Sequence, residues 1–116
     1  MGRMEIKRGD IVLMIAPRDL GRPRPGVIVQ ADEFNAEFST IFICPMTTDI
    51  QDGFPLRPYV DPSAENGLRL RSQIMTDKMA AIRREQIRSL IGHIDVETAQ
   101  QLDRSLLVVL GLARQA

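Results

Sequence analysis

The chain has 116 residues, enough for one hydrophobic core but too few for two ordinary domains, so a single domain spanning 1–116 is expected. Hydrophobic residues make up 44% of the chain and charged ones 26%, with no Trp, a balance that excludes the disordered and fibrous classes. Its 15 Lys and Arg offset 15 Asp and Glu, which removes any general attraction to polyanions and requires an anion site, if there is one, to be local.

Most of the cations are Arg, whose planar guanidinium suits phosphate, so a few converging side chains suffice for such a site. Cys44 is the lone cysteine and cannot form an internal disulfide. Residues 1–20 lack the apolar stretch of a signal peptide, and no apolar run reaches the roughly 20 residues that span a bilayer. A cytoplasmic protein without membrane attachment is the expectation.

In chain order, the first predicted element is a strand over 7–15, where Arg8-Gly9-Asp10 leads into Ile11-Val12-Leu13-Met14-Ile15. Prolines and glycine in 17–25 forbid helix and ladder alike, leaving a polar loop that carries Arg18, Arg22 and Arg24. Strands follow over 26–30 and 40–47, the second ending near Pro45. Asp52-Gly53 and Asn66-Gly67 are tight-turn signals ahead of two more strands, over 56–60 and 68–76. The stretch 78–86 reads both ways, with Ala80-Ala81-Ile82 favouring helix, while 87–94 partly alternates and is read as the last strand. The clearest element is a C-terminal helix: Asp95 is its N-cap, Glu97 adds early negative charge, and Ala99, Leu102, Leu106, Val109 and Leu110 recur at helical spacing. Five or six short strands and this helix predict a mainly β fold, a small antiparallel barrel with the helix packed against it.

Metal chemistry needs clustered ligands, and a single His, a single Cys and scattered carboxylates predict neither a metal nor another cofactor. No glycine pattern of a nucleotide-binding loop is present. His93 lies on an apolar strand pattern and reads as a structural or surface residue, and Cys44 reads as a small core hydrophobe.

Five stretches follow one another in a telling order: Lys7-Arg8-Gly9-Asp10-Ile11-Val12-Leu13, Arg24-Pro25-Gly26-Val27-Ile28-Val29-Gln30, Phe42-Ile43-Cys44-Pro45-Met46-Thr47-Thr48, Glu65-Asn66-Gly67-Leu68 with Arg71-Ser72, and Leu110-Gly111-Leu112. Each is short and common alone, but their colinear spacing over 7–112 resembles the MazF/PemK/Kid toxin family. The resemblance implies an SH3-like barrel and the toxin component of a type II toxin–antitoxin system. It implies a metal-independent endoribonuclease that cuts single-stranded mRNA at selected sequences to 2′,3′-cyclic phosphate and 5′-hydroxyl ends. It also implies a homodimer with RNA across the dimer groove, a cognate antitoxin that blocks the groove, and contact with DNA only through the antitoxin complex.

The same resemblance distributes roles. Arg24 matches the family's catalytic Arg, where a guanidinium forks onto nonbridging phosphate oxygens and stabilises developing charge, with proton transfer as a second role. Thr47 matches the active-site Thr, whose hydroxyl donates to the scissile phosphate. Asp77 falls where the Kid branch has an acidic residue able to accept the 2′-hydroxyl proton, although Met75 and Lys78 stand where that branch has Arg and Gln. Arg18, Arg22 and Lys78 are candidates for flanking phosphates, and Thr48, Gln51 and Phe54 for RNA contacts on the next loop. Two alternatives remain at this level: a gyrase-poisoning toxin of the same fold, and a non-catalytic barrel that binds RNA or a partner.

Overall fold

A computed structural model describes residues 4–15, 21–53 and 55–114. Among them seven strands form one curled antiparallel sheet: β1 (Asp10–Met14), β2 (Arg24–Ile28), β3 (Thr40–Thr47), β4 (Tyr59–Val60), β5 (Ser72–Ile74), β6 (Ala80–Arg83) and β7 (Ile87–His93). Their spatial order is β4-β5-β3-β2-β1-β7, with β6 also on β3. β3 organises the sheet. One of its edges takes β2 at residues 43–45, and the other takes β6 at 40–43 and β5 at 46–47. Register shifts in the β1–β7 pair, between Ile11 and Val12 and between Leu13 and Met14, bend that edge and curl the sheet into a half-barrel.

The uninterrupted apolar run of β1 is explained by burial on both faces, because successive strand side chains point to opposite sides. Ile11, Val27, Cys44 and Met46 join Leu102 and Leu106 of the C-terminal helix in one core. Val12, Met14, Ile28, Ile41, Ile43 and Ile82 form a second core on the other side. The helix is α2 (Val96–Val109), and Asp95 caps it as the sequence predicts, accepting the Thr98 N–H at 2.7 Å. Its end explains the Leu110-Gly111-Leu112 motif. Gly111 takes φ +75°, which lets its N–H reach the Val108 carbonyl and the Leu112 N–H reach that of Leu107, satisfying the last turn.

Three expectations change. Residues Ala80–Arg83 form strand β6 rather than helix, because pairing Ile82 with Ile41 places both in the second core, a tertiary gain that outweighs alanine propensity. The strands expected over 56–60 and 68–76 shrink to β4 and β5, since their flanks bond to side chains instead of ladders: Asn66 Oδ1 accepts the N–H groups of Ser63 and Leu68, and its Nδ2 donates to the Asp61 carbonyl. A short helix, α1 (Asp32–Asn35), connects β2 to β3. There the buried Gln30 amide donates to Asn35 Oδ1 at 3.1 Å and to the Thr40 carbonyl at 3.3 Å, so the Gln that ends the second motif fixes this crossing. Among the described residues no helix is long and apolar enough to cross a membrane.

One close approach joins the two ends of the sheet. A Cβ on Gly92 of β7 would lie 2.4 Å from backbone atoms of Glu65 and Asn66, in the turn before β5. Only glycine lets that turn rest on β7, where the His93 N–H donates to the Glu65 carbonyl at 3.0 Å.

Candidate active site

The β2–β3 ladder runs from Ile28↔Ile43 to Gly26↔Pro45, with Pro45 in its last pair and Pro25 one residue beyond. Proline has no N–H to donate, so the pair opens here. Carrying the register on by two residues sets Arg24, the first residue of β2, opposite Thr47, the last of β3. Both are half-buried. β1 supports the Arg24 side, with Met14 opposite Arg24 and Leu13 opposite Pro25. Thr47 Oγ1 accepts the Asp49 N–H at 3.0 Å, which starts a turn while leaving the hydroxyl proton free of any acceptor among the described residues.

Beyond Thr47 the chain re-enters the sheet at Tyr59, and the described residues between them, 48–53 and 55–58, are fastened by side chains. Gln73 of β5 is fully buried; its Oε1 accepts the Gln51 N–H at 2.7 Å and its Nε2 donates to the Gln51 carbonyl at 3.2 Å. Thr76 donates its hydroxyl to the Leu56 carbonyl at 2.6 Å, and Tyr59 donates its hydroxyl to Asp52 at 2.6 Å. Arg57 forks onto Asp77, Nε to Oδ1 and Nη2 to Oδ2, both at 2.9 Å. That pair holds the Asp77 carboxyl below its ordinary range, chiefly through the guanidinium hydrogen bond, and raises Arg57 in return.

Arg24 and Thr47 thus come to one end of the sheet, with Thr48 exposed next to them. Arg22 is exposed on the approach to β2, and the Gln51 side chain is exposed on a fastened backbone. Lys78 is exposed on the 3-10 turn Thr76–Lys78 that also carries Asp77, while Met75 is buried. Arg18 and Phe54 lie outside the described residues. Sequence reasoning missed Arg57, Tyr59, Gln73 and Thr76, because nothing in the polar stretch Arg71-Ser72-Gln73 before Ile74 marks the amide as buried. An apolar pocket of about 400 Å³ adjoins the site, lined by Leu13, Pro25, Thr48, Leu68, Leu70 and Ile91. Cys44 is buried, and burial pushes its thiol up to about 12; His93 is exposed at the end of β7, opposite Asp10. Among the described residues no group of three His, Cys, Asp or Glu converges to hold a metal ion.

The model of the PemK-like, MazF-like toxins of type II toxin–antitoxin systems matches residues 7–110. The chain belongs to this family. Among MazF proteins, the probable endoribonuclease MazF of Mycolicibacterium smegmatis is 35% identical over 109 residues, covering 93% of this chain and 99% of its own. The endoribonuclease EndoA of Bacillus subtilis is 26% identical over 114 residues, with 94% and 97% covered. The fold is that of the Mycobacterium tuberculosis toxin MazF-mt6, at TM-score 0.78 and 20% identity over 90% of this chain and 99% of that one. It is equally that of the MazE–MazF structure from Deinococcus radiodurans, at TM-score 0.77 and 14% identity over 95% and 100%.

Proposed function

We propose that this endoribonuclease toxin cuts single-stranded mRNA without a metal ion, leaving 2′,3′-cyclic phosphate and 5′-hydroxyl ends, and that a cognate antitoxin restrains it. The observation that carries this is the end of the β2–β3 ladder at Gly26↔Pro45, beyond which Arg24 and Thr47 stand at the same end of the two strands. Metal-free cleavage requires the 2′-hydroxyl to lose a proton, the phosphorane charge to be stabilised and the leaving 5′ oxygen to be protonated. Arg24, stiffened by Pro25, forks onto the nonbridging oxygens, where its charge acts with little further ordering. Thr47 donates its hydroxyl to the same phosphate. Asp77 is engaged by Arg57 and weakened as a base, which favours a role in positioning over one in proton abstraction.

Arg22, exposed on the approach to β2, and Lys78, exposed on the turn after β5, serve flanking phosphates, while Thr48 and Gln51 contact the bases that follow. Arg18 and Phe54 are assigned to the same contacts on the strength of the sequence. The apolar pocket beside Pro25 and Thr48 suits one unpaired base. A homodimer is supported by exposed apolar side chains gathered around one groove, among them Phe34, Phe38, Phe42, Leu107 and Leu110. The working place is the cytoplasm, and DNA is met only through the antitoxin.

Labelled RNA incubated with the purified chain in EDTA tests the reading. Cleavage is expected, with the cut ends as stated, and Arg24→Ala should slow it by about 10² to 10³. RNA left intact by the parent chain would overturn the nuclease reading in favour of a toxin acting by contact with gyrase, or of a barrel that only binds.

A further inference from the structure

Segment 48–58 leaves the sheet at Thr47 and returns at Tyr59, and Gln73 is the cross-strand neighbour of both residues. Its side chain is 0% exposed, beside the equally buried Ile74. A buried amide is costly unless its donors and acceptor are matched. They are matched here by backbone of the segment alone: Oε1 takes the Gln51 N–H, and Nε2 reaches the carbonyls of Gln51 at 3.2 Å and Arg57 at 3.5 Å. The amide bonds Gln51 as a neighbouring strand would, donor to carbonyl and acceptor to N–H. It ties together the start and the end of a segment that has no ladder of its own. Thr76 adds the hydroxyl bond to Leu56, and Asp77 the fork to Arg57, both from the turn that follows β5.

We propose that Gln73 is a positioning residue for base selection, its buried amide fixing the backbone at Gln51 and Arg57 in the shape that receives the unpaired base next to the scissile phosphate. This rests on the reading of the chain as an RNA-cutting toxin centred on Arg24 and Thr47. Gln73 reaches the substrate only through the segment, with the exposed Thr48 and Gln51 side chains as the contact surface. Its loss therefore falls on KM and on the choice of site, while the chemical step at Arg24 is kept.

The test uses the full chain and a long single-stranded RNA whose new 5′-hydroxyl ends are mapped. Gln73→Met keeps the side-chain volume and removes all its hydrogen bonds. KM at the preferred site should rise about tenfold and cuts should spread to sites that differ in the neighbouring base, with kcat there kept within about threefold. Thr76→Val, which removes only the bond to Leu56, should shift both readouts the same way by less. An unchanged site distribution and KM in both variants, or a fall in kcat with site choice intact, overturns the proposal. If Gln73→Met fails to fold, Thr76→Val decides by the same criteria. If the parent chain cuts no RNA, the functional reading fails and base selection falls with it. In that case hydrogen exchange at the Gln51 amide still reads the clamp separately, and it should quicken about tenfold in Gln73→Met.

Discussion

From β7 through β1 and β2 to β3 and β6, backbone ladders and two apolar cores hold the sheet; from β3 through β5 to β4 each ladder shortens to two pairs and polar side chains add the fastening. The first half is held by many contacts that are individually small and interchangeable. The second puts Val60 and Ile74 into the first core and is otherwise fastened by a few contacts, each with a specified donor and acceptor: Gln73 on Gln51, Thr76 on Leu56, Asp77 on Arg57, Asn66 on its own turn. Thr47 stands on the seam between them. A segment shaped by a handful of polar bonds can be reshaped by a handful of substitutions, while the framework that carries Arg24 stays as it is.

Substitutions in each half should separate these two kinds of support. The largest loss is expected from Ile11→Ala, which hollows the first core at a fully buried position and should cost about 4 kcal/mol in denaturant unfolding. Cleavage sites should not change, since no polar bond of the 48–58 segment involves Ile11. Gly92→Ala strikes the place where the halves touch: its Cβ would press on the backbone of Glu65 and Asn66, which cannot swing aside as a side chain would. The expected loss is about 3 kcal/mol, read in the same experiment, with faster exchange of the His93 amide. Asp77→Asn breaks the fork inside the polar half and should cost about 2 kcal/mol, because Arg57 is left nearly buried and poorly matched. The pH dependence gives the sign. The carboxyl is lowered in the folded state, so its contribution is full above the unfolded value of about 4 and is lost as pH falls through the folded one. Acid unfolding curves of parent and Asp77→Asn should therefore begin to converge as pH falls through about 4 and meet below the lowered folded value; a gap that does not change with pH would show that the charged carboxyl adds no stability.

The sequence was legible where structure depends on periodicity. β1 stands out as an apolar run because both its faces are buried, β3 is buried on both faces only from Ile43 to Met46, and α2 announces its start through Asp95 and its end through Gly111. It was illegible where long-range pairing decides. Ala80-Ala81-Ile82 carries helical propensity, and only the presence of Ile41 across the ladder makes it a strand. The candidate site divides in the same way. Arg24 and Thr47 were marked by short motifs around two prolines, whose physical effect is to end a ladder. Gln73, Thr76 and Arg57 belong to no motif, because their partners are backbone groups and a carboxylate some 20 residues away that periodicity cannot foretell.

Cys44 lies in the middle of β3, where burial pushes its thiol up to about 12, so at neutral pH the thiolate that attacks alkylating reagents is scarce. The sulfur is reached only when the sheet parts. Its rate of labelling in native buffer is thus a clock for opening of the framework, one that the chain carries without any added probe.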